Sequence, residues 1–202
     1  MFNHMTRITA AFLCLCAAGA FAQFTPVTAR VTQSVQITRD GKIVQSHVRI
    51  GTLQRSANGS ELYRWESNDG KPIFEGSLKD NVTGSSYELD FHAETAVERP
   101  GKPYPPGLLR EDKAGDRPRE SVEGITCVVY TPPPPHNEKA CWSIEHFLRL
   151  WQDITFPMRA DPAQTYHMVA RMSEIKLNAN IDPDIFDVHK TFHVMLAQAS
   201  RK

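Results

Sequence analysis

Polar and apolar residues alternate along most of this chain, and a period of two predicts strands buried on one face. From Pro26 to Thr38, Val27, Ala29, Val31, Val35 and Ile37 hold the odd positions while Thr28, Arg30, Thr32, Ser34 and Gln36 hold the even ones. Only Gln33 breaks the pattern. Asp40-Gly41 then signals a hairpin turn, because glycine accepts the positive φ that such turns need. The partner strand is expected over Ile43–Leu53. Further strands follow at Glu61–Glu66 and Lys71–Lys79, punctuated by Asn58-Gly59 and Asp69-Gly70, and after a break at Asn81–Ser85 another runs from Tyr87 to about Val97. The hairpin-rich stretch from Glu61 to Phe91 reads as the centre of the scaffold. The fold class expected is mainly β, a curved antiparallel sheet or half-barrel of hairpins with little helix.

Beyond Arg99 the pattern stops. Five prolines and little apolar matter between Arg99 and Glu120 predict a surface loop, disordered or acting as a lid. Leu108 and Leu109 are its one apolar pair. Val122–Tyr130 resumes as a strand, ended by Pro132–Pro135. The segment from Ser143 is ambiguous: Ile144, Phe147, Leu148 and Trp151 fit a helix, whereas Leu148, Leu150, Gln152, Ile154 and Phe156 fit a strand face. A turn at Ser143–His146 followed by a strand is the preferred reading. Thr165–Leu177 is a last strand. Asp182-Pro183 then opens a helical turn ending near Val188, with a longer tail helix as the alternative.

The first 22 residues change the compartment. Arg7, the apolar run Ile8–Ala22 and the Ala20-Phe21-Ala22 cleavage site read as a secretory signal, leaving Gln23 as the new N-terminus. Lipidation at Cys16 is the lesser alternative, since Leu15 is bulky where a small residue is wanted. Residues 23–202 then form a single β-rich domain, exported to the periplasm or beyond, with no transmembrane segment after cleavage. Cys127 and Cys141 are the two cysteines left, and an even count in an oxidising compartment predicts one disulfide. Two unpaired structural cysteines are the alternative.

Charge and motifs exclude more than they propose. Lys plus Arg number 23 and Asp plus Glu also 23, so no basic excess points to nucleic acid. No G-x-S-x-G elbow, no glycine-rich phosphate loop and no H-E-x-x-H occurs, so no catalytic residue and no cofactor is assigned. His189 and His193, four apart, and the neighbours His136, Cys141, Glu145 and His146 read as incidental, not as metal ligands. Aromatic residues recur on nearly every expected strand. Trp65, Phe74, Tyr87, Phe91 and Trp151, with Leu108 and Leu109 as a cover, are the candidate ligand-binding set on a concave sheet face.

Several segments resemble a known pattern. LYRWESNDGKPIFEG at Leu62–Gly76, YELD at Tyr87–Asp90, VEGITC at Val122–Cys127 and the closing TYHMVARMSEIKLNANIDPDIFDV are similar to pieces of uncharacterised secreted proteins common in Acidobacteria. The D-P-x-x-F ending is also similar to that of outer-membrane lipoprotein-sorting proteins. That resemblance implies an antiparallel half-barrel with an apolar cavity for acyl chains, and it brings no catalytic residue. The long N-terminal helices of that group have no counterpart here, and the region between the cysteines is short and rich in proline. The leading expectation is an exported, non-enzymatic protein binding an apolar ligand (a lipid or acyl chain) or an envelope partner. A hydrolase with a site assembled only in three dimensions, and a structural or adhesive envelope protein, are the alternatives.

Overall fold

The computed structural model describes residues 24–103, 115–132 and 137–197. Residues 1–22, read as a secretory signal, and Leu108, Leu109 and His136 lie outside them.

Thirteen strands among the described residues join in one sheet. The first meander runs through β1 (Val27–Arg39), β2 (Lys42–Arg55), β3 (Glu61–Asn68), β5 (Glu75–Lys79), β6 (Ser86–Asp90) and β7 (Thr95–Arg99), with the two-residue β4 (Lys71–Pro72) attached to β3. The second runs through β8 (Arg119–Val122), β9 (Ile125–Tyr130), β10 (Asn137–Ser143), β11 (Leu148–Pro157) and β12 (Gln164–Leu177). Antiparallel pairing of β1 with β12, from Val27 opposite Leu177 to Arg39 opposite Gln164, welds the two meanders. The chain then crosses from the middle of the sheet to its far edge. A 3-10 turn at Pro183–Phe186 and a single helical turn, α1 (Val188–Thr191), lead into β13 (His193–Leu196), which pairs in parallel with β7.

The shape differs from a curved half-barrel. The sheet is open and not strongly curled: its strand order runs from one edge, β13, to another, β8, and no pairing joins them. Side chains fill two separate clusters where a half-barrel would leave one cavity. The first comprises Val27, Ala29, Val31, Leu53, Leu148, Leu150 and Met172, joined by Cys127 and Cys141. Val122, Ile125 and Val129 of the β8–β9 hairpin pack on it, as do Tyr63 and Trp65. The second lies on the other face of the first meander, where Leu62, Leu78, Tyr87, Leu89 and Ala96 are covered by Ile185, Phe186, Val188, Phe192 and Val194. The C-terminal crossing is therefore the lid of the second cluster. Mainly β structure with little helix is what the alternation predicts and what the chain forms.

Several boundaries move for local reasons. The strand expected over Tyr87–Val97 is a hairpin: the Asp90 carboxylate accepts from the amides of His92 and Ala93, both at 2.9 Å, and Glu94 takes a φ of 52°. An aspartate closing a turn by side-chain bonds needs no glycine, so the glycine signal was missing. The strand expected from Val122 likewise turns at Glu123-Gly124, so β8 occupies residues read as loop. Lys71–Lys79 splits into β4 and β5 around Ile73-Phe74. The tail forms no long helix, since α1 ends at Thr191 and a strand follows. The segment after Ser143 is the strand β11.

One buried arginine holds the base of the sheet. Arg55, at the end of β2, is 1% exposed. Its guanidinium donates to the carbonyls of Thr25 (2.9 Å), His146 (2.6 Å) and Phe147 (2.5 Å), tying the first described residues and β2 to the β10–β11 turn. It also lies 5.6 Å from the centre of the Phe24 ring, which packs edge-on against Phe147. Burial pushes its pKa down and the charge of Glu61 pulls it back up. Cys127 and Cys141 are joined in a disulfide across β9 and β10, with Cα atoms 5.4 Å apart.

Replacing Arg55 by Ala strands three carbonyls in a dry site, so chemical denaturation should show a loss of about 3–5 kcal/mol. A loss under about 1 kcal/mol would show that water replaces the guanidinium at no great cost. Reducing the disulfide opens a loop worth roughly 3 kcal/mol in chain entropy. The urea midpoint should fall with reductant, and alkylation of the unreduced protein should label neither cysteine.

Candidate functional site

Cross-strand partners in an antiparallel sheet share a face, so the register sorts side chains into rows. Nearest the β1–β2 turn, Gln45, Ile37, Tyr166 and Phe156 form the first row across β2, β1, β12 and β11. Val44 is the extra residue of a bulge opposite Ile37 and adds another apolar side chain there. The second row is His47, Val35, Met168 and Ile154. The third is polar: Asn68, Arg49, Gln33, Ala170 and Gln152. The fourth, Trp65, Gly51, Val31 and Met172, belongs to the first core cluster. There β3 crosses so closely that a Cβ on Gly51 would lie 2.3 Å from the carbonyl oxygen of Arg64, so no side chain fits.

The upper rows are mostly apolar and exposed at their ends: Val44 is 55% exposed on β2, whereas Val35 in the middle of the second row is buried. The β8–β9 hairpin packs on the rows below, and the C-terminal crossing covers the other face. Phe156 is 46% exposed and stacks on Tyr166 with ring centres 4.8 Å apart. With Pro157, Met158 and Arg159 they line an open groove of about 670 Å³. Its rim is braced by the ion pair of Arg39 with Asp161. Burial pushes the Tyr166 hydroxyl pKa up, and the positive charge of Arg49 pulls it down. The Arg49 guanidinium therefore acts on the groove from two rows away. Gln33 turns its amide to Met168 Sδ (2.9 Å), and Gln152 donates to Glu138 (2.7 Å), so the third row is a hydrogen-bonded belt between groove and core.

The aromatic residues named from sequence do not converge. Trp65 stacks on Tyr63 at 6.3 Å beside the first cluster. Trp151, packed at the same cluster, donates to Glu120 at 3.0 Å. Tyr87, 5% exposed, sits in the second cluster. Phe91 packs there too, between Phe192 and the Arg64 guanidinium. Phe74 stands outside both, 54% exposed beside His92. Phe156 and Tyr166, which the structure pairs in the groove, are not among the candidates named from sequence. Their signal was the alternation Leu148–Phe156, whose far end stays apolar after the core has ended.

Polar chemistry is sparse. Among the described residues no group of three or more His, Cys, Asp or Glu is placed to hold a metal. His189 lies on α1 and His193 begins β13, so the two share no helix face. His167 Nε2 lies 3.0 Å from Asp153 Oδ1, an open cross-strand pair on the face opposite the groove. No described helix is long and apolar enough to cross a membrane.

No family model matches the chain, and no curated protein matches it. Several solved structures are distantly similar, two of them as follows. A LolA-superfamily protein of Nitrosomonas europaea is 9% identical, with 82% of this chain and 91% of that chain covered at a TM-score of 0.35. A domain of Vibrio parahaemolyticus described as an outer membrane lipoprotein-sorting protein domain is 5% identical over the same shares, at 0.34. Neither likeness carries a role to this chain, and neither links it to the acidobacterial proteins.

The tyrosines give the fold an alkaline limit. Burial first, and the charge of Glu61 second, push the Tyr63 pKa well above its ordinary value, against the pull of Arg149; Tyr87 and Tyr166 are also raised, chiefly by burial. The unfolded chain ionises near pH 10, before these folded groups do, so it binds fewer protons there. Stability is fully present below about pH 10 and falls as pH climbs from there toward the folded values. Urea midpoints at about pH 9 and 11 should differ by more in the wild type than in Tyr63→Phe. Equal differences would place the alkaline sensitivity elsewhere.

Proposed function

We propose that this is an exported binding protein whose ligand is an apolar chain held on the uncovered upper rows of the sheet. One observation carries the reading: Phe156, Pro157, Met158 and Tyr166 line an open groove next to Val44, Ile37, Ile154 and Met168. An exposed apolar strip bounded by a polar belt is a place where a chain loses water contact without disturbing the core. Each Å² of apolar area removed from water contributes about 25 cal/mol, enough for an acyl chain to bind at around micromolar strength after ordering costs. Residues 1–22 read as a secretory signal, which supports an address in the envelope or outside the cell, where lipids and fatty acids are the available apolar molecules. The groove binds without reacting: it is lined by hydrocarbon, a thioether, a phenol and one guanidinium.

Native mass spectrometry of protein purified from its own envelope, with lipid extraction, tests the reading. A bound fatty acid or phospholipid is expected, with uptake of added hexadecanoate by delipidated protein. Phe156→Ser with Tyr166→Ser should weaken uptake about tenfold or more, the equivalent of 1.4 kcal/mol, while the melting curve stays cooperative. An empty protein that takes up neither class of lipid would overturn it.

A further inference from the structure

Two buried polar atoms in the third row, two rows below Tyr166 and across β1 from it, have no partner. Among the described residues, Arg49 Nε and Asn68 Oδ1 are the buried side-chain atoms without a hydrogen bond. They sit on residues directly opposite each other on β2 and β3, in the polar belt. A buried polar group left unpaired costs on the order of 1–3 kcal/mol, and such groups call for a partner. The charged contact of Arg49 is a 3.5 Å approach to Glu75, whose side chain is largely exposed, and open pairs of that length contribute little. Arg49 is thus a guanidinium lightly held at the inner margin of an apolar strip.

We infer that Arg49 and Asn68 receive the polar end of the bound molecule, which is a single-chain amphiphile with an anionic head. This rests on the groove reading and names the class of its ligand. The chain lies over Ile154, Met168, Tyr166 and Phe156, and the head meets the belt, because the next row is closed by Trp65 and Gly51 packed against Val31 and Met172. Arginine offers its donors in a planar fork that matches a carboxylate or phosphate. Half a turn of the Asn68 amide exchanges its oxygen for the nitrogen, so that both residues donate to one anion. Binding draws Arg49 away from Glu75.

Calorimetric titration of delipidated protein with hexadecanoate, methyl hexadecanoate and a single-chain anionic phospholipid, palmitoyl lysophosphatidylglycerol, tests this. Wild type is expected to bind at least one anion about tenfold more tightly than the ester, a typical charge-assisted pair. The anion preferred separates a carboxylate source from a phosphate one. Arg49→Gln should lose the preference while ester affinity stays within about twofold, and Arg49→Lys should restore part of it. Asn68→Leu should reduce the preference without abolishing it. Equal binding of acid and ester by wild type, or equal weakening of both in Arg49→Gln, overturns the inference and leaves the groove reading standing. Failure of all three ligands to bind wild type overturns the groove reading and this inference together.

Discussion

The sheet depends on a charge that has been taken out of water and given only backbone oxygens in return. Arg55 reaches the carbonyls of Thr25, His146 and Phe147, and so fixes three segments remote in sequence at one point. Desolvating a guanidinium is expensive, and the arrangement persists because several well-directed acceptors offset that cost together. Phe24 and Phe147 close around it and keep water out. The base of the sheet is sealed in this way, while the opposite end carries the open, largely apolar groove.

The position of the groove follows from how the two covers are distributed. A sheet this wide has more apolar surface than its own hairpins can hide. The β8–β9 hairpin spreads over one face near the base, anchored where Glu123 accepts from the amide of Ile175 at 2.9 Å. The C-terminal crossing is spent on the other face of the first meander. Nothing among the described residues covers the upper end of β11 and β12. The polar belt keeps that exposed strip from merging with the core, so occupancy of one need not loosen the other.

Much of the fold was legible because alternation is a strong signal in long strands. β1 follows it almost from end to end, and Gly41 marks its turn into β2 as a glycine at positive φ should. The turn at Asp90 was obscured because a carboxylate accepting from nearby amides leaves no compositional trace of its own, whereas the turn at Glu123-Gly124 does carry a glycine at positive φ, masked by the apolar residues on either side of it. The half-barrel expectation failed for a different reason. Alternation tells which residues share a face, but it is silent on where a sheet ends and on whether its edges meet. β13 was hidden because four residues paired to a distant parallel strand carry no local pattern. The site was hidden likewise: Tyr166 and Phe156 become neighbours only through the register of β11 on β12.

The weld between β1 and β12 sets the order in which this molecule can be built. Val27 waits for Leu177, and the second cluster waits for Phe192 and Val194. A chain made or threaded from its N-terminus therefore has β1 in place long before its central neighbour exists. Topologies dominated by such distant pairings fold slowly and expose unpaired edges meanwhile. The first meander can form early as a local series of hairpins, with one side of β1 left as an open edge. Its even positions, Thr28, Arg30, Thr32, Ser34 and Gln36, make that waiting edge hydrophilic on one side, which guards it against pairing with other chains until β12 arrives.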